Sequence, residues 1–283
     1  MKKVLVLTDF SDNAWNALFT ALKIYETTDV LYYITNCFEP TFVGALGDKT
    51  KERLTVIYES LAANSNIQLD EVINYLAKHH DKPNHSFEKL SIEDDLVDAL
   101  KDLLKKNEID LIVMGARGAT GSRDVFMGSN AVEVIRKIRN CPILAVPEKH
   151  DFKAMDRIIF PTDFSHRISA SELNELKEIA KIWGSEIIVF QVSEEIELSR
   201  EQTENKEALQ EELLKLNHRF ESTEMKVNLK TAINSVAEST KSDMIALIHY
   251  PHTFMERLTR EPVVKKLAFQ SKVPLMVLPE RSF

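Results

Sequence analysis

The stretch Asp110-Leu-Ile-Val-Met-Gly-Ala-Arg-Gly-Ala-Thr-Gly-Ser-Arg-Asp-Val-Phe-Met-Gly-Ser-Asn130 decides how this chain is read. Leu111 to Met114 is a short apolar run bounded by turn residues, which reads as a fully buried parallel strand. A loop carrying Gly115, Gly118 and Gly121 follows. Gly128-Ser129-Asn130 closes it, and Ala131, Val132, Val134, Ile135 and Ile138 then fall at helical spacing. The order is strand, glycine-rich loop, helix N-terminus. A helix N-terminus has unpaired N–H groups and partial positive charge, so it attracts phosphate. Glycine lets backbone approach a ligand closely, and Ser129 can cap the helix or donate to a phosphate oxygen. Four of the seven glycines in the chain lie between Gly115 and Gly128. A tight strand-to-helix crossover would use the same glycines, and the spacing alone leaves both readings open. The stretch matches neither the phosphate-binding G-x-x-x-x-G-K-[ST] loop nor the dinucleotide fingerprint.

The 283 residues suffice for two domains of ordinary size. Hydrophobic residues at 44% and charged residues at 28% describe a soluble globular chain. A formal net charge of -8 argues against nucleic acid and anionic membrane as partners. Two cysteines, Cys37 and Cys141, make a disulfide framework unexpected and fit a reducing cytoplasm. The opening Met-Lys-Lys-Val-Leu-Val-Leu-Thr-Asp reads as a first strand, because Asp9 interrupts the apolar run too early for a secretory signal. No apolar stretch approaches a membrane span.

A long repeat runs through the chain. Lys3-Val-Leu-Val-Leu-Thr-Asp-Phe-Ser11 is matched by Arg157-Ile-Ile-Phe-Pro-Thr-Asp-Phe-Ser165. Asp110-Leu-Ile-Val-Met114 is matched by Asp243-Met-Ile-Ala-Leu247, and Cys141-Pro-Ile-Leu-Ala-Val-Pro147 by Val273-Pro-Leu-Met-Val-Leu-Pro279. The boundary falls near Lys149 to Met155, which predicts domains over 1–150 and 151–283. In the first, strands are expected at Lys3–Leu7, Val30–Ile34, Ser86–Leu90, Leu111–Met114 and Ile143–Val146. Helices are expected from Asp12 to Glu26, over 49–80 in two pieces broken near Asn64-Ser65-Asn66, and from a capping box at Ser91-Ile-Glu-Asp94 to Lys106. In the second, strands are expected near 157–161, 186–192, 225–229, 244–248 and 274–278. Helices are expected near 169–183, 198–221, 231–240 and 261–270. Alternating strands and helices give α/β architecture: two tandem doubly wound parallel sheets, with ligands beyond the carboxyl ends of the strands. The Thr8-Asp9 end, the Ile34-Thr35 end and the glycine loop all lie there.

The spacing Gly115-x2-Gly118-x9-Gly128-Ser129, its preceding strand and the later Cys141-Pro-Ile-Leu-Ala-Val-Pro147 resemble ATP-binding universal stress proteins. The resemblance is specific in the first half and architectural in the second. It implies a Rossmann-like fold of the adenine nucleotide α-hydrolase type, repeated in tandem. It also implies one ATP per chain, with or without Mg2+, bound in the first half. On that likeness Thr8 and Asp9 meet the adenine and the ribose or phosphate side, and Thr35 packs on the adenine. Gly115 and Gly118 line the ribose and phosphates, Gly128, Ser129 and Asn130 hold the phosphate tail, and Met114 and Arg117 belong to the same binding set. Arg117 and Arg123 flank the loop and can pair with phosphate, though solvated surface charge is the commoner state of an Arg. Asp9 or Ser11 can equally cap the next helix, a reading favoured by the survival of Asp163 in the second half. The likeness further implies an internal pseudo-dimer in which the two last strands meet edge to edge, and it allows further homodimerisation.

The chain departs from that family at two places. After His249 the second half reads Tyr-Pro-His-Thr-Phe-Met-Glu-Arg-Leu-Thr-Arg-Glu-Pro262, without glycine. Tyr250, Phe254 and Met255 can fill the nucleotide space there, and Pro251 removes a donor, so this half reads as degenerate. The segment between Phe38 and Asn66 is also longer than the single helix of the family. His249 and His252 have no carboxylate or Cys in a ligand pattern, so no metal site is expected. His79, His80 and His85 read as residues of a helix C-terminus, and Cys141 as packing. No catalytic motif is present, so no catalytic residue is assigned and at most weak ATP hydrolysis is expected. The reading is a cytoplasmic, nucleotide-responsive stress protein. Its alternatives are an ATP-hydrolysing or nucleotidyl-transferring enzyme using Asp9 and Asp124, and a nucleotide-free interaction module. AMP-type or cyclic nucleotides are also open.

Overall fold

A computed structural model describes residues 1–39, 48–117, 128–191, 197–222, 229–249 and 273–280. Its elements are β1 (Lys2–Leu7), α1 (Asp12–Ile24), β2 (Val30–Phe38), α2 (Asp48–His79), β3 (His85–Glu93), α3 (Leu96–Lys106), β4 (Leu111–Gly115), α4 (Ser129–Lys137) and β5 (Ile143–Val146). The chain continues through β6 (Arg157–Thr162), α5 (Asn174–Trp183), β7 (Glu186–Gln191), α6 (Arg200–Leu213), β8 (His218–Ser222), α7 (Leu229–Thr240), β9 (Met244–His249) and β10 (Leu275–Pro279). The strands form one ten-stranded sheet in the order β3-β2-β1-β4-β5-β10-β9-β6-β7-β8. Each half is parallel and winds in the same order from its first strand outwards. The halves meet where β5 and β10 pair antiparallel, Leu144 opposite Met276.

This seam is buried on both faces. Leu144, Val146, Met276 and Leu278 enter one apolar core. Their neighbours Ile143, Ala145, Leu275 and Val277 enter the other. That alternation follows from the two-residue period of a strand. Each core contains residues from both halves, with α1, α2, α5 and α6 over the first and α3, α4 and α7 over the second.

Several boundaries differ from the sequence-based expectation; the helix expected near 198–221, for one, ends at Leu213, and its last residues enter β8. The helix expected to break near Asn64-Ser65-Asn66 is the single 32-residue α2. Ser65 is buried and shares a 2.8 Å hydrogen bond with Ser91 Oγ, so the polar triplet is a docking point rather than a stop. Ser91 does not cap α3. It pairs with Asn36 inside the β2–β3 ladder, and Asp95 caps α3 instead, accepting from the Val97 and Asp98 N–H groups. In the second half His218–Ser222 forms a strand that was not expected, in register with Ile187–Gln191, while the strand expected near 225–229 falls outside the described residues up to 228. Finally, α5 starts at Asn174, because Glu172 turns back to accept from the Ser169 N–H and hydroxyl. The expected helix over 261–270 lies outside the described residues. Among the described residues no helix is long and apolar enough to cross a membrane.

Met276 is fully buried at the seam, whereas Phe19 is 40% exposed on α1. Met276→Ala is expected to lower the free energy of unfolding by about 2–5 kcal/mol in urea titrations, and Phe19→Ala by under about 0.5 kcal/mol.

Candidate functional site

The repeated Thr-Asp-Phe-Ser motif forms the same turn twice. Thr8 Oγ1 accepts from the Phe10 N–H at 2.9 Å, as Thr162 Oγ1 does from Phe164 at 3.1 Å. Asp9 Oδ1 accepts from the Ser11 N–H at 3.1 Å, and Asp163 Oδ1 from Ser165 at 2.9 Å. Phe10 and Phe164 both sit at positive φ, 63° and 57°. Such backbone costs energy for a bulky side chain and is held here by the two side-chain acceptors that flank it. Ser11, not Asp9, is the N-cap of α1, accepting from the Ala14 N–H. Asp9 steadies that cap by accepting from the Ser11 hydroxyl at 2.5 Å.

Beyond this turn, at the switch point between β1 and β4, lies a cleft of about 100 Å3. Of the residues singled out in the sequence, it brings together Thr8, Asp9, Thr35, Met114, Gly115, Arg117 and Asn130. Gly128 and Ser129 stand beside it at the start of α4, and Gly118, Arg123 and Asp124 lie outside the described residues. The backbone joins the wall pieces. The Thr8 N–H donates to Thr35 O at 2.9 Å, and the Asn36 side-chain amide donates to Thr8 O at 2.7 Å. The Gly128 N–H donates to Ala116 O at 2.7 Å and fixes where α4 begins. Gly128 is the N-cap and contributes no side chain, so Ser129 is the first helical residue rather than the cap. The N–H groups of Ser129, Asn130 and Ala131 have no intrahelical acceptor and leave a partial positive charge at the rim.

Two residues do structural work that the sequence pattern did not reveal. Asn13, 4% exposed on the first turn of α1, donates its amide to Arg117 O at 2.9 Å. A Cβ on Gly115 would stand 2.6 Å from the Asn13 amide nitrogen and 3.1 Å from Arg117 O. Gly115 is therefore required by the approach of α1, independently of any ligand. Arg117 pairs with Glu148 at 2.9 Å, so one surface carboxylate already engages its guanidinium.

Reading the sequence also missed Cys37, Leu96, Ala14 and Ala131 in the wall. Cys37 enters because β2 runs on to Phe38, four residues past the expected end. Burial pushes its thiol up to about 12, with Asp94 and Asp95 adding to the shift. Thr35 is fully buried and donates to Tyr33 O. Among the described residues no group of three or more His, Cys, Asp or Glu is arranged to hold a metal.

In the second half the equivalent turn is covered. Gln202 and Asn205 of α6 donate to the carbonyls of Asp163 and Phe164 at 2.8 and 2.9 Å. Phe164 is 1% exposed. Tyr250, Pro251, His252, Phe254 and Met255 lie outside the described residues.

A larger cleft of about 350 Å3 lies between the C-terminal turns of α1 and α2, against Leu22, Tyr75, Leu76 and His80. Its charged rim is internally paired, Lys82 with Glu26 at 2.8 Å. His85 Nε2–H donates to Tyr25 O, which leaves its Nδ1 to accept from His80 Nε2–H at 2.7 Å. Burial and the neighbouring His85, with Lys82 and Lys23, hold His80 below the usual imidazole range, against a weaker pull from Glu26. The unfolded chain takes up this proton more readily, so the stabilisation is complete above the ordinary value of 6.5 and is lost as the pH falls below it. The melting temperature is expected to fall as the pH drops below about 6.5, and to fall less in His80→Asn. At the cleft beyond β1 and β4, Gly115→Ala is expected to destabilise by about 1–3 kcal/mol in thermal melts. Adding Asn13→Gly should return part of that loss, because the clash is with the Asn13 side chain.

Comparison with known proteins bears on this geometry. The model of the universal stress protein family matches residues 1–147. A universal stress protein of Methanocaldococcus jannaschii is 25% identical over 146 residues, covering 51% of this chain and 81% of its own. A universal stress protein of Archaeoglobus fulgidus superposes over 98% of this chain and 96% of its own, with a TM-score of 0.63 at 17% identity. A Pseudomonas aeruginosa protein of unknown function superposes over 99% and 92%, with a TM-score of 0.61 at 12% identity. These two structural likenesses speak for the fold, and they run through both halves of the ten-stranded sheet. With the family match over more than half of its length, the chain belongs to the universal stress protein family.

Proposed function

We propose that this chain binds one adenine nucleotide, ATP, in the cleft beyond β1, β2 and β4, and acts as a nucleotide-responsive regulatory protein of the cytoplasm. The observation that carries this reading is the convergence of Thr8, Asp9, Thr35, Met114, Gly115, Arg117 and Asn130 on one cleft at the open end of α4. The residues fit the group chemically. The apolar wall of Leu7, Leu96 and Met114 suits a base, and the α4 N-terminus suits phosphate. Gly118, Gly128 and Ser129 complete the set by their place in the motif. Were the nucleotide to carry Mg2+, Asp9 would be the carboxylate of the cleft lining placed to approach it, and the cation would offset phosphate charge.

The second half takes no nucleotide in this reading, because its sequence after His249 carries no glycine loop. Residues 1–150 and 151–283 act as two domains paired within one chain, an internal pseudo-dimer whose seam is β5 against β10. No residue is assigned a catalytic role, so function rests on occupancy of the cleft.

Purified protein titrated with ATP in a calorimeter is expected to take up about one equivalent per chain. Gly118→Val should abolish that uptake, and Ser129→Ala should weaken it about tenfold through loss of one hydroxyl donor. Two equivalents would show that the second half is a live site. No uptake by a folded wild type would sink the nucleotide reading altogether.

A further inference from the structure

One buried cluster of charge is used by none of the roles above. Lys2, the first residue of β1, extends its ammonium into the interface between the two halves of the sheet. There it meets Glu175 of α5 at 2.8 Å and Glu178 at 2.9 Å. The side chains of Lys2 and Glu175 are each only 6% exposed. Tyr25, the C-cap of α1, is fully buried and donates its hydroxyl to the other oxygen of Glu175. The Lys2 ammonium also stands 5.0 Å from the centre of the Tyr25 ring. Trp183, the last residue of α5, donates its indole N–H to Ile24 O at 2.9 Å.

The contacts of Lys2, the Tyr25 hydroxyl and the Trp183 indole each join the beginning of β1 or the end of α1 to α5. Burial opposes the charge on Lys2, but the two carboxylates outweigh it and raise its pKa above the ordinary value. A pair this buried costs desolvation, and removing one partner leaves the other uncompensated. The two elements it grips are the ones that build the cleft at their far ends. β1 runs from Lys2 to Leu7 and delivers Thr8 and Asp9. α1 runs back from Asp12, with Asn13 on Arg117 O beside Gly115. Each element spans roughly 20 Å, so the cleft and the cluster lie at opposite ends of one rigid strand–turn–helix unit.

We infer that Glu175 is a positioning residue supplied by the second half, which holds β1 and α1 in the register that the nucleotide cleft of the first half needs. On this account the half without a glycine loop serves the other as a brace. Glu175 touches no ligand and acts through Lys2 and Tyr25. The inference rests on the nucleotide reading for its effect on affinity, but not for its effect on the β1–α1 unit.

The test uses the full chain with Glu175→Gln, the milder Tyr25→Phe, and Leu209→Ala as a control in the buried face of α6. Amide hydrogen exchange and calorimetric ATP affinity are read at a temperature where each variant is folded. Glu175→Gln is expected to speed exchange along β1 and through the Asn13 turn of α1, and to raise the Kd for ATP about 5-fold or more. Tyr25→Phe should do the same to a smaller extent. Leu209→Ala should lower the melting temperature without moving the Kd. The inference is overturned if faster exchange stays within α5, or if Leu209→Ala weakens ATP binding as much as Glu175→Gln does. Should Glu175→Gln fail to fold, Tyr25→Phe against Leu209→Ala decides by the same two readouts. Should wild type bind no ATP, the nucleotide reading fails, and exchange at Asn13 decides the brace alone.

Discussion

The antiparallel pairing of β5 with β10 is the constraint on which the rest depends. Each half is a five-stranded parallel sheet that would otherwise end in an exposed edge of unpaired N–H and C=O groups. Joining the two edges removes that hazard and makes each apolar core continuous across the seam. The pairing is short, from Leu275 opposite Ala145 to Val277 opposite Ile143. Three rungs of backbone hydrogen bonding contribute little by themselves. What holds the seam is the burial of alternate side chains of both strands in cores that already exist on either side. The antiparallel sense follows from the two halves meeting through the equivalent last strand of each, an approximately two-fold arrangement.

The Thr-Asp-Phe-Ser turn shows how one local structure serves two ends. In both halves it satisfies its own backbone through a Thr and an Asp side chain, and it holds a Phe at positive φ. The motif is therefore a structural element first. What differs is what lies over it. Gln202 and Asn205 of α6 donate to its carbonyls in the second half, and in the first half Thr8 and Asp9 line a cleft. Gly115 carries the same lesson. It stands in a ligand-like motif, yet the contact that demands a glycine comes from Asn13. The approach of α1 to the β4 end also carries Asn13 to the Arg117 carbonyl, so fold and cleft share one close contact.

Electrostatics around the cleft is balanced rather than basic. Asp9 lines it, Asp94 and Asp95 act on Cys37 in its wall, and Arg117 is paired with Glu148. The favourable field for an anion comes from the start of α4, where backbone donors need no side chain. This is consistent with a site assembled from chain ends and glycines, in a protein whose overall charge is negative.

The amino-acid sequence by itself determined the α/β class, the internal repeat and nearly every strand, because buried parallel strands are apolar runs that local composition reveals. It also located the Thr8 and Gly115 ends, since strand ends follow from strands, whereas Thr35 lies inside β2, which runs on to Phe38. Tertiary structure decided what depends on partners distant in the chain. Ser65 continues α2 because Ser91 receives it, and Ser91 remains in β3 because β2 extends alongside. β8 forms at His218–Ser222, where the local pattern read as helix, because β7 offers it a parallel partner. Asn13 at the cleft and the Lys2–Glu175 pair, 173 residues apart, carry no local signal. A polar residue declares its role only when the fold removes water from around it and supplies the group it must then meet.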